Sequence, residues 1–164
     1  AYLCVKEDVL RQISPEQGKN VYLNLGKHYK EAKAHSQTPN TPNVNLFWPL
    51  NQALTNIMEE GIENRVAGRQ LCAAVLREGA KQLGLRLLLD DHMSSTVTSV
   101  FLPEGIDLDA FLTEMDRRGY TLYKGKGKYE REGMFQIANM GEIYEQDCRT
   151  FLLVLEDCLK SFGA

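Results

Sequence analysis

Apolar side chains recur every three or four positions between residues 44 and 83. Leu46, Phe47, Leu50, Leu54, Ile57 and Met58 form one stripe over 44–60, and Ile62, Val66, Ala73, Leu76, Ala80 and Leu83 form a second over 62–83. That period puts each set on one face of an amphipathic helix. Pro49 falls inside the first stripe and has no N–H to give, which predicts either a kink or a delayed start. Gly61 separates the two helices, and Gly84 suits the position just past the end of the second.

After Gly84 the period shortens. Residues 86–89 and the β-branched run 96–102 (TVTSVFL) predict two strands. Pro103-Glu104-Gly105 is a turn, and Asp107 is an N-cap for a helix over 108–118 with Leu108, Phe111, Leu112 and Met115 on its core face. Gly119 ends it. Residues 120–123 predict a third strand, and 124–128 (KGKGK) a basic, glycine-rich loop. In 134–139 Phe135, Ile137 and Asn139 alternate with Met134, Gln136 and Ala138, the period of a buried strand. Met140-Gly141-Glu142 breaks that pattern. From Asp147 the chain turns helical, with Cys148, Phe151, Leu152, Leu155, Cys158, Leu159 and Phe162 on one face. The order strand, strand, helix, strand, strand, helix predicts an α/β fold whose small, mostly antiparallel sheet has helices on one face.

The N-terminal part is less regular. Residues 2–5 and 21–25 read as short strands, and 7–13 as a short helix with Asp8 at its dipole-favoured start and Ser14-Pro15 as its stop. Residues 26–35 are lysine-rich with helical tendency. The stretch 36–43 (SQTPNTPN) joins two prolines to small polar residues and suits an exposed loop. The chain divides into 1–60 and a C-terminal small domain, 61–164.

Composition narrows the classes. At 164 residues, 43% hydrophobic and 25% charged, the chain has the makeup of a globular protein with one good core. A net charge of −3 gives no basic footprint for nucleic acid, and no apolar run reaches membrane-spanning length. Cys4, Cys72, Cys148 and Cys158 form no CxxC pair, and with three histidines no metal-site spacing arises. Each cysteine sits among apolar residues, which predicts buried free thiols and a cytoplasmic location. The abrupt opening Ala1-Tyr2-Leu3 reads as a piece of a larger protein.

Several stretches resemble the class V aminotransferases, pyridoxal-phosphate enzymes of fold type I, and within them the 2-aminoethylphosphonate–pyruvate and alanine–glyoxylate groups. Phe135, Ile137, Asn139, Gly141 and Glu142 are similar to the family pattern F-R-I-G-N-x-G-E/D. Residues 21–25 resemble its Y-L-D-L strand, 37–42 its T-P-x-T-P loop, and Glu59-Glu60-Gly61 the E-E-G that ends the following helix. Residues 95–98 with 102–107 resemble S-P-T-V-T and L-P-x-G-I-D, and 123–127 resemble Y-x-G-K-G.

The resemblance implies the C-terminal part of a homodimeric enzyme that moves an amino group between an amine or amino acid and a 2-oxo acid. It implies that 1–60 is a remnant of the domain that binds pyridoxal 5'-phosphate and the helix that leaves it. The family's cofactor-bearing lysine falls before Ala1, so no catalytic residue is assigned here, and covalent attachment of the cofactor to this chain is not expected. Thr41 matches the threonine that reaches a partner subunit's cofactor phosphate, with Thr38 the secondary candidate. Gln136 stands where the family has the arginine that clamps the substrate carboxylate. An amide lacks the charged fork of that clamp. Another cation replaces it, the substrate differs, or binding is weak. Lys124, Lys126 and Lys128 are nearby in sequence, and a phosphonate would suit them. A second reading is a non-catalytic regulatory or dimerisation module, with the apolar residues Phe47, Trp48 and Leu50 left open for self-association.

Overall fold

The computed structural model describes residues 3–13 and 18–164 and divides the chain into two compact units, Ala1–Thr55 and Asn56–Ala164. The first holds α1 (Glu7–Ile13), α2 (Leu25–His35) and the start of α3 (Val44–Glu60). Glu7 ties α1 to α2: its carboxylate takes Arg11 at 3.1 Å, Lys33 at 2.9 Å and the Tyr29 hydroxyl at 3.1 Å.

Neither N-terminal strand forms among the described residues. Leu3, Cys4 and Val5 are irregular, while Tyr2 and the Ser14-Pro15 stop lie outside the described residues. Val21, Tyr22 and Leu23 are irregular and exposed. The physical reason is local. Asn24 Oδ1 accepts the Lys27 N–H at 2.9 Å and caps α2, and among the described residues of this unit no strand is available to pair with 21–23. α3 begins at Val44, ahead of Pro49, so the proline does not delay its start. None of its residues is buried.

The second unit carries the core. α4 (Ile62–Gln82) leads through Gly84, whose φ of +76° an L side chain rarely adopts, into the sheet. β1 (Arg86–Leu87), β2 (Val97–Phe101), β3 (Tyr123–Lys124) and β4 (Met134–Ala138) pair antiparallel throughout in the order β1-β2-β4-β3. Val97 to Phe101 oppose Ala138 to Met134, and Tyr123 opposes Gln136. Leu87, Val100, Phe135 and Ile137 face a single cluster with Cys72, Leu76 and Ala80 of α4. α5 (Leu108–Arg117) adds Phe111 and Met115, and α7 (Glu145–Ser161) adds Phe151, Leu155 and Leu159. The α/β fold with an antiparallel sheet and helices on one face is therefore as the periodicity predicts.

The details differ where tertiary contacts override pattern. The third strand forms at Tyr123 and not at Tyr120, because Tyr120 closes the end of α5 with its N–H on Met115 O and packs its ring on Phe151 at 5.2 Å. The basic loop splits. Lys124 joins β3, and Lys128 opens a short helix, α6 (Lys128–Arg131). α7 starts at Glu145, where Asp147 accepts the Tyr144 N–H at 2.8 Å. Only the second half of the α4 stripe is buried, since Ile62 and Val66 lie before the part of α4 that contributes to the core.

Candidate functional site

The first unit places the two candidate threonines around a concavity of about 530 Å³ lined by Tyr22, His28, Thr38, Asn40, Thr41 and the start of α3. They are not equivalent. Thr38 Oγ1 donates to Asn40 O at 2.7 Å and is spent on building the turn. Thr41 is exposed and, among the described residues, makes no side-chain hydrogen bond. Asn40 Nδ2 is buried with no partner, an orphan donor beside it. His28 Nε2 contacts Tyr22 O at 3.1 Å and fixes the opposite rim. A free, exposed hydroxyl and the N-terminus of a 17-residue helix are parts an anion needs.

The second unit places Gln136 on β4, on the face of the sheet away from the helices. Its Nε2 donates to Ser99 Oγ at 3.2 Å, across the register pair Ser99↔Gln136. The three lysines near it in sequence differ in their surroundings. Lys124 is held by Glu130 at 2.7 Å and Asp109 at 3.2 Å, and Lys128 lies over the Tyr129 ring. Lys126 is exposed.

All ten lysines of the chain are exposed. Lys33, Lys124 and Lys160 have their ammonium forms favoured by hydrogen bonds to Glu7, Glu130 and Glu156 respectively. None has the desolvated setting that lowers a lysine toward a reactive amine. Among the described residues no group of three or more His, Cys, Asp or Glu could hold a metal ion.

The motif residue Asn139 does work that its place in the sequence pattern does not reveal. It is 1% exposed, and Nδ2 donates to Ser95 O at 3.0 Å and Arg69 O at 3.3 Å. Arg69 answers from α4 with bonds to Asn139 O at 2.9 Å, Gly141 O at 2.7 Å and Ile143 O at 2.7 Å. Gly141 takes φ +88° within this turn. Arg69 had no signal in the sequence, since it lies on a helix among many charged positions.

Comparison with known proteins then places the chain. It is 36% identical over 143 residues to an uncharacterized aminotransferase of Methanocaldococcus jannaschii, covering 87% of this chain and 37% of that protein. It is 32% identical over 130 residues to a 2-aminoethylphosphonate–pyruvate transaminase of Bacteroides fragilis, covering 76% and 35%. The chain is thus similar to aminotransferases over most of its own length. It spans little more than a third of the length of these aminotransferase relatives. A soluble hydrogenase small subunit of Synechococcus is also similar, at 30% over 142 residues, 87% of this chain and 37% of that one. Among solved structures, pyridoxamine–pyruvate aminotransferase from Mesorhizobium loti matches with a TM-score of 0.84 and 23% identity, over 98% of this chain and 42% of that one, which speaks to the fold. No protein-family model matches the aminotransferase-like chain.

Proposed function

We propose that this chain is the C-terminal part of a pyridoxal-phosphate-dependent aminotransferase acting between an amine or amino acid and a 2-oxo acid, with residues 1–60 a remnant of the cofactor domain and 61–164 the small domain. The observation that carries the reading is the loop before α3, where the Thr41 hydroxyl is free and Asn40 Nδ2 lacks a partner. The exposed Thr41 hydroxyl and the start of α3 fit one edge of a dianionic phosphate. The exposed lysines do not fit the cofactor's aldehyde. Bound pyridoxal 5'-phosphate supplies the electron sink for amino transfer. This chain's residues hold and orient. Thr41 donates to a phosphate oxygen, in a neighbouring subunit of a homodimer, and Gln136 meets the substrate with an uncharged amide.

In the full-length protein, Thr41→Val removes one charge-assisted hydrogen bond and should weaken cofactor binding about tenfold or more. Thr38→Val should leave affinity near that of the parent, because that hydroxyl already serves Asn40 O. Equal effects of the two substitutions in an equilibrium titration would remove the assignment. The isolated chain, mixed with pyridoxal 5'-phosphate and reduced with borohydride, should give no stoichiometric adduct on a single lysine. Such an adduct, with turnover, would make this chain a complete enzyme and sink the reading.

A second reading, a non-catalytic regulatory or dimerisation module, is favoured by Gln136. Gln136→Arg in the full-length protein separates the two. In an aminotransferase it should lower KM for a carboxylate substrate, as a buried charged contact is worth roughly 2–5 kcal/mol and a restored one less. In a module no activity responds.

A further inference from the structure

A cavity of about 360 Å³ lies within the second unit between β4, residues 120–123 and the first turns of α7. Leu76, Leu122, Ile137, Ile143 and Phe151 make the apolar part of its wall, and Thr121, Gln136, Asn139 and Thr150 add uncharged polar groups. Among the described residues no lysine or arginine lines it, and its one carboxylate is Asp147, already capping α7 through the Tyr144 N–H.

One wall also carries unpaired backbone. Along a strand the N–H and C=O of each residue point to the same side, and the side alternates. Asn139 N donates to Thr96 O at 2.9 Å on the β2 side, and Met134 O accepts from Gly125 N at 2.7 Å on the β3 side. These two bonds fix the parity of β4, so Ala138 turns its N–H and C=O toward β3. The β3 ladder ends at Tyr123↔Gln136, short of Ala138, and no backbone bond to Ala138 on that side occurs among the described residues. Ala138 is exposed. The cavity therefore sets one free donor and one free acceptor beside an apolar pocket with no cation.

We propose that this cavity binds a small uncharged molecule in which a carboxamide is joined to an aryl or alkyl group. The carboxamide continues the ladder at Ala138, giving N–H to its carbonyl and taking its N–H on oxygen, while the apolar group fills the pocket. The volume is in the range of small-ligand sites, and the lining pattern of many apolar and few convergent polar groups is theirs. A carboxylate of the same shape would lose the donor, face the Ala138 carbonyl and the Asp147 carboxylate, and find no counter-charge. The proposal does not rest on the amino-transfer reading, although Gln136 also lines this cavity.

Phenylacetamide and phenylacetate, alike in shape and different in charge, are titrated against the full chain with amide resonances followed by NMR. Phenylacetamide should shift Ala138 and Leu122, and phenylacetate should bind about tenfold or more weakly. Ala138→Pro deletes an N–H that no ladder bond uses, where proline is tolerated. Thr150→Trp fills the cavity from an exposed position on α7. Each should weaken phenylacetamide at least about fivefold. Thr150→Trp keeps the test valid if the proline variant does not fold. Equal or tighter binding of phenylacetate, no shift at Ala138 with phenylacetamide, or unchanged affinity in folded variants overturns the proposal.

Discussion

Arg69 shows how one side chain can hold a turn in place. A guanidinium offers its donors in a fixed plane, and here two of its nitrogens reach three carbonyls between Asn139 and Ile143. Arg69→Ala strands those acceptors and should cost about 2–4 kcal/mol in urea unfolding. Arg69→Lys should recover less than half, because an ammonium cannot span the three. The thiols give a second test. Cys148 is pushed up to about 12 by burial and by the Cys72 thiol beside it, and Cys158 is raised by burial. Cys72 is buried too, but Cys4 is exposed, against the expectation of four buried thiols. The thiolate is the reactive form. One thiol per folded chain should react promptly with a disulfide reagent, and the other three only on unfolding. Glu7 gives a third. Hydrogen bonds from Lys33, Arg11 and Tyr29, in that order, hold its carboxyl down at about 2, against an ordinary value of 4.5. A depressed carboxyl contributes stability above the unfolded value and loses it as pH falls through the folded one. The α1–α2 contact should therefore loosen between about pH 4.5 and 2, followed by the Tyr29 ring resonances, and Glu7→Gln should abolish that dependence.

At the scale of elements, α4 carries two glycines with opposite consequences. A Cβ on Gly68 meets nothing within 4 Å, so Gly68→Ala should gain about 1 kcal/mol from helix propensity alone. A Cβ on Gly79 would run into Leu152 Cδ1 and lie 3.0 Å from its Cγ. Leu152 of α7 packs against α4 at this glycine and would have to rotate out of its packing. Gly79→Ala should lose the propensity gain and fall below the parent by about 1 kcal/mol. Urea midpoints of the two variants decide this, and equal shifts would mean that Leu152 yields freely. The 36–43 loop is the other informative element. Its prolines and threonines build the turn through Thr38, and this leaves Thr41 unspent.

At the scale of the molecule, the second unit holds every residue of the core cluster, while α3 buries nothing. Phe47 and Trp48 are exposed at 49% and 76%. Apolar surface so arranged tends to find a partner. The chain should self-associate with rising concentration in sedimentation, and Trp48→Glu should shift it toward monomer. A monomer at all concentrations would show that α3 is content in water.

The period of apolar residues by itself determined the helices from 44 to 83, the strands after Gly84 and the core face of α5 and α7, because 3.6 and 2 are the periods at which side chains return to one face of a helix or a strand. Cap chemistry at Asp107 was likewise local, and its Oδ1 meets Ala110 N at 2.8 Å as the residue type predicts. Sequence resemblance supplied Thr41 and Gln136 as candidates. Tertiary structure decided the rest. A strand needs a neighbour, and 21–23 has none among the described residues, so strong β-formers there stay irregular. Tyr120 left the strand for a ring contact with Phe151. Asn139 and Arg69 are 70 positions apart, and only the fold brings the amide to the arginine's backbone and the guanidinium to the turn. Long-range hydrogen bonds have no period, which is why no pattern along the chain announced them.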